Sequence, residues 1–577
     1  MKKILSCLKQ YRRAAILAVC FMVLDVLAEV IQPTLMADII GQGIQSGDVG
    51  YIVRTGLLMI LVAAIGLLSG FGNAKYSAKA GVGFAANLRD RLFRKVQTFS
   101  FRNIDSFSTA SLSIRLTNDV TQMQNLATMG MRMMIRAPLM LPFALVMAIR
   151  INSSLALILG VSVPVLLVLL TLLVRRAMPM FEKMQRSVDR LNRTVQENVT
   201  NMRVVKSFVR EEHEKRKFAE ASDGQMNTAM RAMYAVIVNM PLMMLVMNCT
   251  IVAVVFFGGR QIIGNTLTVA EMTKFINYIM QILMSLMMLA MMFILLTRAS
   301  ASYRRIREVL DTESDMQDAE GARKAQGLRG RVEFRDVSFH YHAEDDGDPV
   351  LSHVSFTAEP GEVVAIIGGT GAGKSSMVQL IPRLYDVTQG AVLLDGVDVR
   401  EYHLASLHDE VAMVLQKNTL FSGTIRDNLR WGNQDATDEQ IYAAAKAAQA
   451  HDFIMSFPKG YDTWIEQGGV NVSGGQKQRL CIARALLKAP KVLILDDSTS
   501  AVDTATEQRL RESFRNELAG TTIFLIAQRI SSVQDADKIV VMDDGSIVGI
   551  GRHDELLASC EAYQEIYASQ QGEEASA

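Results

Sequence analysis

The run Gly368-Gly-Thr-Gly-Ala-Gly-Lys-Ser375 carries the spacing G-x-x-x-x-G-K-S, and its chemistry is that of holding phosphate. Gly368, Gly369, Gly371 and Gly373, with Thr370 and Ala372 between them, let the backbone wrap closely, so that successive N–H groups and the next helix start point at one anion. Lys374 then reaches the β- and γ-phosphates, Ser375 offers a hydroxyl to Mg2+, and Ser376 follows on the same turn. About 120 residues later, Val492-Leu-Ile-Leu-Asp496 ends in a carboxylate suited to hold that Mg2+ through water. Between the two lies Val472-Ser-Gly-Gly-Gln476, ahead of a helix rich in Arg and Ala over 477–488.

These groups need a frame. Val363-Val-Ala-Ile-Ile367 is a continuous apolar run suited to the centre of a parallel sheet, and it leads straight into the glycine loop. The alternation of Val332–Tyr341 reads as a strand, and 330–560 has the mixed composition of a soluble α/β domain. The first 300 residues differ. Apolar stretches able to cross roughly 30 Å of hydrocarbon in about 20 residues recur near 14–38, 52–74, 134–151, 154–175, 233–258 and 272–298. The third is the weakest: Pro138 and Pro142 interrupt it, and Arg132 and Arg136 stand at its start. An odd number of spans stays open on that ground, but six fits the charges better. Connections after spans 1, 3 and 5 (Gly41–Tyr51, Asn152–Ser153, Gly258–Val269) are short and poor in cations. Those after spans 2 and 4 are long and basic, through Arg89, Arg91, Arg94 and Lys95, and through Arg186, Arg190, Arg193, Arg203 and Lys206. With Lys2, Lys3, Lys9, Arg12 and Arg13 at the N-terminus, this puts both termini and both long loops in the cytoplasm. The first apolar run is too long for a signal peptide and is expected to stay as a span.

The long loops keep helical periodicity, so the spans are expected to continue into the cytoplasm, with tips near Asn103–Ser111 and Val204–Glu212. Asp25 and Glu29 share one face of span 1 and are expected either to meet a substrate or proton or to bond a neighbouring helix. Met280, Met284, Met287, Met288 and Met291 form a stripe on span 6, and Met240, Met243, Met244 and Met247 crowd span 5: an adaptable cavity, or plain packing. Five scattered cysteines without CxxC spacing exclude a disulfide scaffold and a zinc site. Sixty Lys+Arg against 59 Asp+Glu leave +1, so no excess of charge calls for nucleic acid.

Taken together, these motifs resemble the ATP-binding-cassette (ABC) transporter family over nearly the whole chain. Val472–Gln476 with the following helix looks like its signature, Tyr341 matches the adenine-stacking position, Gln416 the Q-loop and Ser500-Ala-Val-Asp503 the D-loop. The resemblance implies a membrane α-helical domain of six transmembrane helices (1–305), a linker (306–330), an α/β P-loop NTPase cassette (331–568) and a disordered tail (569–577). It also implies a half-transporter of the type IV exporter fold in the cytoplasmic membrane. Two such halves close head to tail over two ATP, with Mg2+ held by Ser375, Gln416 and Asp496. Ser473, Gly474, Gly475 and Gln476 of one half complete the site of the other, and the loop tips act as coupling helices.

The chain departs from that family at two catalytic positions. Asp497 stands where Glu is usual after Asp496, and Gln528 where His is usual before Arg529. Asp is shorter by one methylene, and Gln lacks the charge options of His. Glu466-Gln467 also replaces the more usual Gly-Glu before the signature. The expectation is a heterodimer with a second, different half-transporter, in which this chain's Asp497, Gln528 and Gln416 line a slow or inactive site. A homodimer hydrolysing slowly at both sites is the alternative. The expected cargo is a hydrophobic or amphipathic small molecule, with membrane lipids as surroundings. A dedicated lipid, peptide or siderophore carrier, and an ATP-binding regulatory or sensor subunit, are the other readings.

Overall fold

In a computed structural model of the chain, residues 2–341, 348–497 and 503–574 are described. The chain forms two units. One comprises Met1–Gln97 with Thr109–Asp311, the other Thr98–Ser108 with Thr312–Ala577.

The first unit holds six helices long and apolar enough to cross a membrane: Ser6–Ile44, Val49–Val96, Thr109–Ile151, Ser153–Thr200, Glu211–Ile263 and a last one beginning at Val269. That last helix runs on to Asp311. A helix of 48 residues, such as Val49–Val96 or Ser153–Thr200, is about 72 Å long, over twice the hydrocarbon thickness. The spans therefore extend well beyond the bilayer, as the periodicity of the loops implies. Pro138 and Pro142 do not break the third span; both lie inside the continuous helix Val120–Ile151. Neighbouring helices and local adjustment re-satisfy backbone groups freed by proline in a membrane bundle, so the weak third stretch is a full span. The shared core is built from Met22, Val26, Met140, Ala144, Leu155, Phe275 and Ile279, on spans 1, 3, 4 and 6. Buried Tyr278 bonds across it to the Val30 carbonyl at 2.9 Å and the Thr34 hydroxyl at 3.0 Å. The two methionine-rich stripes meet: Met240, Met243, Met244 and Met247 line one apolar cavity together with Met284, Met287 and five leucines. The side chain of Met291 lies outside the described residues.

In the second unit, β1 (Val332–Phe339), β2 (Leu351–Ala358), β4 (Gln389–Leu394) and β5 (Val397–Asp398) form an antiparallel sheet in the order β2-β1-β4-β5. A second sheet takes β3 (Val363–Gly368), β6 (Val411–Val414), β9 (Val492–Asp496), β10 (Thr522–Ile526), β11 (Lys538–Asp543) and β12 (Ser546–Gly551) in the order β12-β11-β3-β10-β9-β6. It is parallel except for the edge pair β11–β12. A two-stranded pair, β7 (Gly423–Thr424) with β8 (Trp464–Ile465), lies apart. Along β3, β9 and β10 the side chains alternate between two cores: Val364, Ile366, Val492, Ile494, Phe524 and Ile526 on one face, Ala365, Ile367, Leu493, Leu495, Ile523 and Leu525 on the other. Burial on both faces is why these strands read as unbroken apolar runs.

The short helix Phe101–Ser106 overlaps the start of the first expected tip, and its unit is the cassette's. Ser100 caps it, its hydroxyl also bonds Asp315, and Arg102 pairs with Asp315 at 3.5 Å. The second expected tip carries the helix Met202–Ser207, with Phe208 and Val209 72% and 80% exposed beyond it. At the far end, the helix Glu561–Glu574 runs into the segment expected to be disordered from 569. Gln570 ties that helix back, accepting the Ile530 N–H and donating to the Gln528 carbonyl, both at 2.8 Å; residues 575–577 of the expected tail lie outside the described residues.

Candidate functional site

Four adjacent parallel strands end on one edge of the large sheet and deliver most of the site. After β3 comes the glycine loop, after β10 Gln528, at and after β9 Asp496 and Asp497, and after β6 Gln416. The crevice beyond the carboxyl ends of parallel strands is where α/β sheets bind ligands.

The loop conformation depends on glycine at Gly368, where a β-carbon would come within 2.1 Å of the Met542 carbonyl, and at two positions of left-handed φ. Gly371 and Gly373 have φ of +88° and +85°, a region that side chains with a β-carbon disfavour. At Gly373 a β-carbon would come within 2.7 Å of Leu351 Cδ2 and 2.8 Å of the Val350 carbonyl. Lys374, at the start of the helix Lys374–Gln379, curls its Nζ over the loop to the carbonyls of Gly368 at 2.8 Å and Gly369 at 2.5 Å. Ser375 Oγ donates to Asp496 Oδ1 at 2.8 Å. Burial pushes the Lys374 ammonium below its ordinary range, opposed by the charges of Asp497 and Asp496. Burial likewise raises the carboxyl of Asp496, which is 2% exposed; the Ser375 hydrogen bond opposes the rise and the charge of Asp497 adds to it.

Asp497 has the left-handed φ of +48°, its N–H bonded to the Ile526 carbonyl at 3.1 Å. Its Oδ2 accepts from two amides, Gln528 Nε2 at 3.1 Å and Gln416 Nε2 at 3.5 Å. The side chain of buried Gln478, on the signature helix, holds the Asp497 carbonyl at 3.2 Å. Sequence reasoning missed Gln478, since nothing in its local pattern separates it from the surrounding Arg- and Ala-rich helix.

Tyr341 sits half-buried in an aromatic cluster, edge-on to Phe339 at 4.9 Å and to Tyr385 at 5.1 Å. Its hydroxyl lies 2.9 Å from Ser376 Oγ, tying the adenine-stacking candidate to the phosphate-loop helix. Tyr385 was likewise missed. Its hydroxyl donates to Asp105 at 2.6 Å and its ring meets Phe101, so the same cluster holds the Phe101–Ser106 helix. Burial, with Asp105 beside it, raises the Tyr385 phenol above its usual range.

Ser473 opens the signature helix Gly474–Leu486 as a reciprocal cap: its Oγ accepts the Gln476 N–H at 3.3 Å, and Gln476 Oε1 accepts the Ser473 N–H at 2.9 Å. Ser473 and Gly474 are exposed, Gly475 and Gln476 half-buried. Among the described residues no hydrogen bond joins these four to the phosphate loop of their own chain. Of the D-loop candidates, Ser500, Ala501 and Val502 lie outside the described residues, while Asp503 caps the next helix through the Thr506 N–H.

Comparison with known proteins agrees with this geometry. Residues 15–299 match the ABC transporter transmembrane region family and residues 351–500 the ABC transporter family. The uncharacterized ABC transporter ATP-binding protein YfiB of Bacillus subtilis is 39% identical over 576 residues, covering 100% of both chains. An ATP-dependent lipid A-core flippase of Pseudomonas aeruginosa is 34% identical over 531 residues, 92% of this chain and 87% of the flippase. A bacterial Atm1-family ABC exporter solved with ATP bound superposes with a TM-score of 0.82 at 26% identity, over 98% of each chain. Six spanning helices and an ATP-hydrolysing cassette on the cytoplasmic side make this a multi-pass protein of the cytoplasmic membrane, built on that exporter fold. The chain belongs to the ABC transporter family, as an exporter whose ATP-binding cassette follows its transmembrane region.

Proposed function

We propose that this chain is one half of a heterodimeric exporter of hydrophobic or amphipathic compounds, contributing a slow or inactive ATP site and an intact signature for its partner. The observation that carries the reading is Asp497: a short carboxylate held through one oxygen by the amides of Gln528 and Gln416. A general base has to reach within about 3 Å of its water. The shorter side chain and the two donors on Oδ2 both oppose that. The signature half is unimpaired, with Ser473 and Gly474 exposed at a helix start, the arrangement that favours an anion. The closely placed hydroxyl of Ser375 and carboxylate of Asp496 are hard oxygen donors that suit Mg2+; with ATP they would hold the ion that neutralises phosphate charge, alongside Gln416.

Phe208 and Val209 stand exposed at the second loop tip, and docking on a partner cassette would cover them. The methionine-lined cavity supports an apolar cargo, since flexible thioethers adapt to many shapes. A dedicated lipid carrier is the second reading, favoured by the similarity to a lipid A-core flippase. ATPase activity of the chain co-purified with its partner tests the heterodimer. Asp497→Ala should change turnover little, whereas replacing the partner's catalytic Glu should nearly abolish it. Equal losses refute the asymmetry.

A further inference from the structure

We propose that the cytoplasmic ends of spans 1 and 2 form a binding surface for anionic phospholipid of the inner leaflet. Five cations make its polar part: Lys9, Arg12 and Arg13 at the entry of span 1, and Lys75 and Lys79 on span 2. All five are exposed, and among the described residues none has an ion pair or a side-chain hydrogen bond. The sequence offers them no counter-charge nearby, since residues 1–24 and 51–89 contain no Asp or Glu. The carboxylates that follow these two stretches are already taken, Asp25 by Arg136 at 3.4 Å and Asp90 by Arg94 at 2.9 Å.

Packing brings the two groups of cations to one level. The Asn73 amide donates to the Ala18 carbonyl at 2.8 Å, and the Asn87 amide to the Cys7 carbonyl at 3.0 Å. Between these bonds a β-carbon at Gly83 would run into the Tyr11 ring, so the helices meet closely there. In this antiparallel register Arg13 stands level with roughly residue 80, beside Lys79, and Lys75 lies one turn deeper, about 6 Å. A lysine stem spans that depth while its ammonium stays at the polar boundary. Deeper still, each helix turns apolar on the same face. Lys75 and Lys79 continue the line of Leu68 and Phe71, both 68% exposed, and Arg13 that of exposed Leu17 and Leu24, at spacings that share one helix face. The ligand that fits is anionic at one end and apolar along its length. An anionic phospholipid is both, and it belongs to the leaflet in which the positive-inside orientation places these ends. An acidic peptide would use the cations and leave the apolar lines uncovered, and phosphatidylcholine brings its own cation against the five.

None of these residues lines the methionine cavity, so the surface stands apart from the cargo and partner proposed above. The test uses the full-length transporter in phosphatidylcholine nanodiscs with a trace of phosphatidylglycerol or phosphatidylcholine carrying a diazirine on the same acyl chain, the attachment being mapped by peptide mass spectrometry. Attachment to residues 14–24 and 67–74 is expected to favour phosphatidylglycerol. Lys75→Gln with Lys79→Gln should lower that preference about thirtyfold, roughly fivefold for each lysine, and the matching pair of Lys→Arg changes should keep it. A wild-type preference within twofold of unity overturns the proposal, as does a preference that the Gln pair leaves unchanged. A loss as large in the Arg pair as in the Gln pair means that the lysines act through packing, and also overturns it. Should the double variant fail to insert, Lys75→Gln alone, which leaves four cations, decides by its fivefold effect. Inorganic phosphate that competes as well as unlabelled phosphatidylglycerol marks a bare anion site and refutes the lipid. Label found instead on residues 240–247 and 284–287 marks the lipid as cargo in the cavity and refutes the surface.

Discussion

Lengthening Asp497 to Glu is the perturbation that most directly tests the proposal that Asp497 makes this ATP site slow. The added methylene advances the carboxylate by roughly 1.5 Å, one carbon–carbon bond. A positioned general base contributes about 10²–10⁴ in rate, or about 3–5 kcal/mol at 1.36 kcal/mol per tenfold. Against that gain stands the 3.1 Å bond from Gln528 to Oδ2, which the moving carboxylate gives up at a cost of about 1.5–3 kcal/mol for a charged acceptor. The difference, about 2 kcal/mol, is roughly thirtyfold in turnover. Adding Gln528→His removes the competing amide and recovers most of the remainder, roughly another tenfold to thirtyfold. The assay is phosphate release by the purified pair after the partner's catalytic Glu has been replaced by Gln, so that residual turnover belongs to the site lined by Asp497. Residual turnover within twofold of its starting value in both variants refutes the reasoning. So does an Asp497→Asn change that abolishes activity in the otherwise intact pair, because Asp497 is then itself the working base.

Three further outcomes follow from the geometry. Asp496→Asn should raise the thermal midpoint of the nucleotide-free protein at pH 7–8 yet abolish its stabilisation by Mg-ATP. Burial raises the Asp496 carboxyl, so its stability contribution is complete below the ordinary carboxylate range and lost as pH rises through the raised value; the advantage of Asn should therefore shrink toward pH 4, and a pH-independent difference in calorimetry contradicts this. Tyr385→Phe removes the hydroxyl that holds Asp105, an interaction worth about 1 kcal/mol for a partner this exposed. ATPase activity should persist while vesicle transport falls, and equal loss of both argues against a coupling role. Gln570→Ala frees the Gln528 carbonyl and the Ile530 N–H, so amide exchange over 528–533 should quicken about fivefold to thirtyfold, the effect of losing about 1–2 kcal/mol; unchanged exchange means the C-terminal helix does not brace that loop.

What could be read in the sequence follows a physical divide. The phosphate loop is legible because its glycines are needed at fixed intervals, and the strands beside it because burial on both faces leaves only apolar residues. Six spans are legible from length and charge, although Pro138 and Pro142 weaken the third. In water each interior proline costs about 3 kcal/mol, a penalty relieved inside a membrane bundle. Residues whose roles arise from distant contacts carry no local mark. Arg136 meets Glu29 across 107 positions, and Asp25 with Glu29 alone left a substrate contact and a helix contact equally open. Gln478, Tyr385 and Gln570 are ordinary polar or aromatic residues until the chain brings them to Asp497, to the Phe101–Ser106 helix and to the loop after β10. The odd Asp497 and Gln528 stood out only against the family pattern; the amide pair on one oxygen became visible in three dimensions.

The helix Phe101–Ser106 belongs with the cassette although it is translated long before it. Asp105 and its partner Tyr385 are 280 residues apart, so at about 5–20 residues per second the ribosome needs roughly 14–56 s to supply the second after the first. Throughout that interval Phe101 and Ile104, 40% and 42% exposed even in the finished fold, have no docking surface. The nascent chain thus carries an unclaimed apolar hook, open to chaperones and proteases until the cassette that covers it has been made.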